Sequence, residues 1–88
     1  MILYRNNMPQ IDLHGEDRIG AKIKVKAFLS DNIKMKNKEV AIIHGVGKGI
    51  LKSEVFSILK NDKRIEEYNL DMFNEGCTLV RFKNNVDN

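Results

Sequence analysis

The sequence predicts a small α/β domain, a two-layer α+β sandwich in which a mixed four-stranded sheet packs against two helices in the order β-α-β-α-β-β. Two segments show helical periodicity, and each follows a short strand-like segment that ends at glycine. A further pair of strand-like segments flanks an Asn-Glu-Gly turn. Crossover helices join parallel strands and a short turn joins antiparallel ones, so this order predicts a parallel pair closed by a hairpin. A chain of 88 residues is long enough to form one domain with a single core.

The first strand is predicted at residues 10–14. Pro9 favours extended geometry in the residue before it and opens the domain. Ile11 and Leu13 alternate with polar residues and share one face. Gly15 ends the strand.

The first helix is predicted at residues 17–32, and two apolar stripes compete for its buried face. The first comprises Ala21, Val25, Phe28 and Leu29, and the second comprises Ile19, Ile23 and Ala27. We favour the first stripe because it includes the aromatic residue.

The remaining elements follow in order. Residues 40–43 form a continuous apolar segment, typical of a strand buried on both faces. A second helix begins after Gly49 and ends at residues 61–62. Its apolar positions are Leu51, Val55, Ile58 and Leu59. Residues 68–73 alternate as a half-exposed strand, residues 74–76 turn, and residues 78–82 form the last strand, with Thr78, Val80 and Phe82 on one face.

The domain is expected to span residues 9–83. Residues 1–8 are predicted to be a flexible lead or an extra edge contact, and residues 84–88 a polar tail. No segment approaches the roughly 18 apolar residues of a membrane span, so no membrane partner is expected. The single cysteine, Cys77, lies in an apolar segment and is predicted to be a buried structural thiol; the lack of a disulfide partner favours a cytoplasmic location.

The net charge of +3 and the sequence pI of about 9.1 permit phosphate-rich partners without requiring them. A glycine-rich loop gives the most specific signal. Gly45, Gly47 and Gly49 lie between a strand and a helix, with Lys48 and Lys52 beside them. Glycines let the backbone approach a ligand, and a helix N-terminus attracts anions, so the loop is a candidate phosphate site. The alternative is a tight turn that needs glycine for geometry alone.

Asp12, His14 and His44 are the other candidate functional residues. Both histidines precede a glycine at the carboxyl end of a predicted parallel strand, where ligand crevices form in α/β sheets. A carboxylate can orient an imidazole, and an imidazole transfers protons near neutral pH. The alternative is that Asp12 caps the neighbouring helix while His14 packs as a polar plug.

These motifs resemble those of the Smr (small MutS-related) domain family, which occurs at the C-terminus of a MutS paralogue and as stand-alone proteins. The resemblance rests on Asp12–Gly15, Ile42–Leu51 and Gly76–Val80, and it covers residues 9–83. It implies a fold similar to the C-terminal domain of translation initiation factor three, and endonuclease activity on DNA or RNA, with ribosome-associated RNA among the substrates. The third motif departs from the family pattern, because Phe73 and Asn74 replace its usual glycine pair.

The resulting hypothesis is phosphodiester cleavage. His14, held by Asp12, acts as general acid or base, while His44 and the loop N–H groups stabilise charge on the phosphate. Lys48 and Lys52 bind flanking phosphates. An outer track of charge comprises Arg18, Lys22, Lys24 and Lys26, although alternate lysines on a helix do not form one tight stripe.

The sequence is compatible with cleavage with or without a metal ion, and with binding that involves no cleavage. Two-metal hydrolysis needs clustered carboxylates, but a single Mg or Mn held by Asp12 and His14 is compatible with the sequence. RNA needs no metal, because its 2′-OH can serve as nucleophile. The alternative function is a non-catalytic nucleic-acid-binding module, with Tyr4 and Tyr68 stacking on bases. The oligomeric state is left undetermined.

Overall fold

The computed structural model describes residues 1–84. Its elements are β1 (Gln10–Asp12), α1 (Arg18–Lys34), β2 (Glu39–Ile43), α2 (Ile50–Lys60), β3 (Ile65–Leu70) and β4 (Cys77–Phe82). The predicted element order is confirmed. Within residues 1–84 no helix is long and apolar enough to cross a membrane.

The sheet has the strand order β1-β2-β4-β3. β1 pairs with β2 in parallel, whereas β4 is antiparallel to both β2 and β3. The two central strands, β2 and β4, are more deeply buried than β1 and β3, because their residues are covered on both faces.

Both helices cover one face of the sheet, where the main core lies. The first of the two candidate stripes of α1 faces this core: Ala21, Val25 and Leu29 are fully buried, and Phe28 packs against them. Ile19 and Ile23, from the rival stripe, are 70% and 65% exposed. The preference for the first stripe is therefore confirmed.

The helix-free face of the sheet is covered by the N-terminal segment. Ile2 and Met8 are 1% and 5% exposed and form a second cluster with Ala41, Cys77 and Leu79. The sequence predicted a flexible lead or an edge contact here; in the structure, Ile2 and Met8 shield the apolar residues of β2 and β4 on this face from water.

Hydrogen bonds fix the N-terminal segment in place. The Ile2 N–H donates to Asn69 Oδ1 at 2.8 Å, and Asn69 Nδ2 donates to the Ile2 carbonyl at 3.0 Å. The Arg5 guanidinium pairs with Glu39 and, together with Arg81, lowers the pKa of that carboxyl.

Two strands end earlier than predicted. β3 ends at Leu70 rather than continuing to residue 73, because the Asp71 N–H donates to the Cys77 carbonyl and the chain then turns. β1 ends at Asp12, whose Oδ1 accepts the His14 N–H at 2.9 Å and turns the chain. The predicted polar tail falls at residue 84 and at residues 85–88, which lie outside the described part of the chain.

Candidate nucleic-acid interface

The glycine loop connects β2 to α2 and depends on its glycines. Gly45, Gly47 and Gly49 have φ values of +80°, +29° and +80°. Residues that carry a side chain rarely adopt these φ values. No neighbouring atom lies within 4 Å of a Cβ placed at any of the three glycines. Backbone conformation, not lack of space, therefore requires glycine, and the loop surface is open to a ligand.

The N-terminus of α2 is exposed at the end of this loop. Gly49 is its N-cap residue and supplies no side-chain hydrogen bond. The first helical hydrogen bond joins the Ser53 N–H to the Gly49 carbonyl at 2.9 Å. The preceding N–H groups of α2 have no helical acceptor, so this end of the helix attracts anions.

Arg18 lies beside this helix end. Together with Lys48, Gly49 and Ser53, it lines a shallow groove of about 300 Å³. Its Nε is 3.7 Å from Glu54 Oε1, and its side chain is 70% exposed. The first residue of α1 thus adds a cation to the surface formed by the loop.

The lysines of α1 divide into two groups. Lys22 and Lys26 line a groove between α1 and α2, and Arg18 precedes them at helical spacing. Lys24 instead pairs with Glu16 away from that groove. Two of the three lysines therefore lie on the same stripe as Arg18, in a groove that Glu54 and Asp62 also line, and the third does not.

Asp12 and His14 form a turn rather than a carboxylate–imidazole pair. The Asp12 carboxylate accepts the backbone N–H of His14, and no hydrogen bond to the His14 ring occurs among residues 1–84. Both side chains are exposed. The neighbours of Asp12, Ile11 and Leu13, pack into the helix-side core, so Asp12 points to the opposite face.

His44 differs from His14 because its ring is buried, with 7% of the residue exposed. Its Nδ1 lies 2.9 Å from the Gly45 carbonyl, which can only accept, so Nδ1 carries the proton. Its Nε2 then accepts the Thr78 hydroxyl at 2.8 Å. Burial lowers the pKa of His44, the Gly45 carbonyl raises it and the nearby Lys52 lowers it again; the net shift is downward, which favours the neutral ring with both nitrogens engaged.

Gly76, in the turn before β4, and Thr78, in β4, complete the site, and neither was predicted as a functional residue. The Gly76 carbonyl accepts the N–H groups of His44 and Gly45 at 2.8 and 3.0 Å. A Cβ on Gly76 would lie 3.0 Å from the Cα of Gly45, so the two backbones are in direct contact. The third motif, Gly76–Val80, contained both residues, but only the tertiary structure shows what they contact.

The site offers few side chains that could bind a metal ion. Within the described residues, no group of three or more His, Cys, Asp or Glu side chains is placed to bind an ion. Among residues 1–84, Asp12 and His14 therefore have no third His, Cys, Asp or Glu side chain beside them with which to hold an ion.

Comparison with known proteins identifies the family. The family model of the Smr domain matches residues 11–83. The chain belongs to the Smr domain family. The Smr resemblance and the four-stranded, two-helix architecture predicted from the sequence are thereby confirmed.

Relatives of this Smr domain include much longer proteins. Endonuclease MutS2 of Clostridium kluyveri is 37% identical over 76 residues, which is 86% of this chain and 10% of that protein. Endonuclease MutS2 of Symbiobacterium thermophilum is 38% identical over 72 residues, or 82% of this chain and 9% of that protein. The chain thus spans about a tenth of the length of these relatives.

Two solved structures share the fold. The Smr domain of Thermus thermophilus MutS2 superposes with a TM-score of 0.84 at 24% identity, covering 86% of this chain and 99% of that one. YdaL, a stand-alone small MutS-related protein from Escherichia coli, gives 0.82 at 19% identity, covering 88% and 66%.

Proposed function

We propose that this Smr domain binds DNA or RNA at the glycine loop and cleaves a phosphodiester bond there. The observation that carries the proposal is the uncapped N-terminus of α2, reached through three positive-φ glycines and flanked by Lys48 and Arg18. Its backbone N–H groups suit a phosphate. The relatives named endonuclease MutS2 support a nuclease over other phosphate-binding functions.

His14 is the group proposed to transfer the proton. Its exposed imidazole lies at the end of β1, next to the strand that leads into the glycine loop. As a general base it removes the proton from the attacking oxygen, water for DNA or the 2′-OH for RNA; as a general acid it protonates the leaving oxygen. The loop N–H groups offset the charge that develops on the phosphate.

His44 has a different proposed role from the one its motif suggests. Because both of its ring nitrogens are engaged within the protein, we propose that it positions Gly45 and β4 rather than contacting the phosphate. The charge stabilisation first assigned to His44 then falls to the loop N–H groups, together with Lys48 and Lys52.

A second candidate function is binding without cleavage, with the substrate class left as DNA or RNA, including ribosome-associated RNA. The observation that favours it is that the Asp12 carboxylate accepts the backbone N–H of His14 and leaves the ring without an orienting partner.

For either function, we propose a cytoplasmic location, where Cys77 remains a free thiol.

Cleavage of labelled RNA and of supercoiled DNA tests this proposal. Each substrate is incubated with Mg²⁺, Mn²⁺ or EDTA, and the native protein is compared with His14→Ala. We expect cleavage to fall at least 100-fold in the variant, as for removal of a general acid or base, while binding is retained. Equal cleavage by both proteins would exclude His14, and salt-sensitive binding with no product would establish the binding module.

A matched pair of lysine variants tests the loop itself. Lys48→Ala removes a charge beside the glycine loop, whereas Lys60→Ala removes one from the last turn of α2. The first substitution is expected to reduce the slope of log K against log salt by about 1, and the second to leave it unchanged. Equal slopes in the two variants would place the phosphates elsewhere.

A further inference from the structure

The turn between β3 and β4 carries the most exposed large apolar side chain among residues 1–84. Phe73 is 90% exposed, and its neighbour Met72 is 58% exposed. Single exposed apolar residues are common on protein surfaces, so exposure alone assigns no role. The position of this turn is what distinguishes Phe73 from Ile19 or Ile23 on α1.

The turn is docked onto the glycine loop. The Gly76 carbonyl accepts two N–H groups from the loop, and the Gly76 backbone touches Gly45. The turn is also closed internally, since Asn74 Oδ1 accepts the Gly76 N–H at 2.9 Å and the Asn74 carbonyl accepts the Cys77 N–H at 3.1 Å. Phe73 precedes Gly76 by three residues, so its Cα lies within about 11 Å of that contact.

The loop and the turn docked on it differ in chemistry. Lys48 in the loop and Lys52 in the first turn of α2 supply positive charge, which suits phosphate groups. The turn presents the aromatic ring of Phe73, the thioether of Met72 and the exposed carboxylate of Glu75. An apolar and acidic surface repels a phosphate backbone but accepts the neutral face of a nucleobase.

We propose that Phe73 stacks on an unpaired base of a single-stranded nucleic acid whose phosphate is held at the glycine loop. This inference rests on the function proposed above and adds a preference for single strands. In a duplex the bases are paired and stacked on one another, so an aromatic ring reaches a base face only if the base leaves the helix. Phe73 therefore acts in substrate selection, not in proton transfer.

Fluorescence anisotropy with short labelled strands tests the preference. The native protein and Phe73→Ala are titrated against a single strand, its duplex and a strand of equal length with abasic sites, each as DNA and as RNA. Stacking predicts that Phe73→Ala weakens binding of the intact single strand by about 5- to 150-fold, from the usual stacking contribution per base. Binding of the duplex and of the abasic strand should change less than twofold. Ile23→Ala, which removes an exposed apolar side chain from α1, is the matched control and should bind all strands normally.

A tryptophan substitution reports the contact directly. The chain has no tryptophan, so Phe73→Trp introduces a single indole at this position. Stacking should restore native affinity and quench the indole fluorescence on addition of the intact strand, but not of the abasic strand. Equal quenching by both strands would overturn the proposal.

The outcomes separate this inference from the function on which it rests. If Phe73→Ala binds every strand as the native protein does, base stacking is excluded while phosphate binding stands. If Phe73→Ala instead changes the sedimentation coefficient of the free protein, the ring belongs to a contact between copies of the chain, and the proposal is also wrong. Failure of the native protein to bind any strand at low salt would overturn both proposals.

Discussion

His14 and His44 have the same local sequence context but opposite environments. Each precedes a glycine at the end of a parallel strand. The ring of His14 is exposed, whereas that of His44 is buried between the Gly45 carbonyl and the Thr78 hydroxyl. Thr78 lies 34 residues from His44 in the chain, so sequence spacing could not indicate that this hydroxyl would bind the ring.

The lowered pKa of His44 predicts a pH dependence of stability. The folded state holds the ring neutral, so its contribution is present above the ordinary value of 6.5 and is lost as pH falls through the lowered pKa of the folded state. The free energy of unfolding, measured by urea titration, should therefore decrease from pH 7.5 to pH 5.

Two histidine variants show which residue causes that decrease in the free energy of unfolding. His44→Gln should remove most of the pH dependence in this range, although it lowers stability overall by leaving polar partners unpaired. His14→Gln should retain it, because the His14 ring has no hydrogen-bond partner among residues 1–84. A pH slope that survives in His44→Gln would assign the effect to another group.

At the scale of elements, hydrophobic periodicity located both helices but did not distinguish the two stripes of α1. Both stripes have helical spacing, and α1 has almost no net amphipathic character because Ile19 and Ile23 lie on its outer side. Which stripe is buried depends on α2 and the sheet, because they pack against the side of α1 that bears Leu29. The ends of β1 and β3 were predicted too late in the chain for a related reason, since the turns that end these strands depend on hydrogen bonds of Asp12 and Asp71.

A pair of substitutions in α1 measures this asymmetry. Leu29→Ala removes a fully buried side chain and should lower the free energy of unfolding by about 3 kcal/mol. Ile23→Ala removes a side chain that is 65% exposed and should change it by less than about 0.5 kcal/mol. Thermal or urea denaturation followed by circular dichroism compares them. Similar losses would mean that α1 is rotated so that Leu29 and Ile23 are buried to a similar extent.

At the scale of the whole molecule, the N-terminal segment takes the place of a third layer. The sheet has helices on one face only, and two apolar side chains of this segment, Ile2 and Met8, cover the central strands on the other. We therefore propose that residues 1–8 fold with the domain that was predicted to begin at Pro9. An eight-residue segment without regular periodicity has no sequence signature for this role.

Adjacent residues in that segment provide a test. Ile2→Ala should lower the free energy of unfolding by about 2–4 kcal/mol, whereas Leu3→Ala, at a position that is 57% exposed, should have little effect. Cys77 lies in the same cluster as Ile2, and burial raises its pKa to about 11. Its reaction rate with a thiol reagent should therefore rise in Ile2→Ala and not in Leu3→Ala. Equal rates in both variants would show that the segment does not protect this face.

The sequence by itself determined the element order, the two helices, the parallel and antiparallel pairing, and the glycine loop as the candidate phosphate site, because periodicity and glycine placement are local properties of the chain. The buried state of Cys77 followed in the same way from its apolar neighbours. Only the tertiary structure decided which histidine is free, which stripe of α1 is buried, and what covers the second face of the sheet. Those outcomes depend on contacts between residues far apart in the chain, such as Thr78 with His44 and Asn69 with Ile2. A local sequence pattern does not indicate which distant residue a side chain will contact.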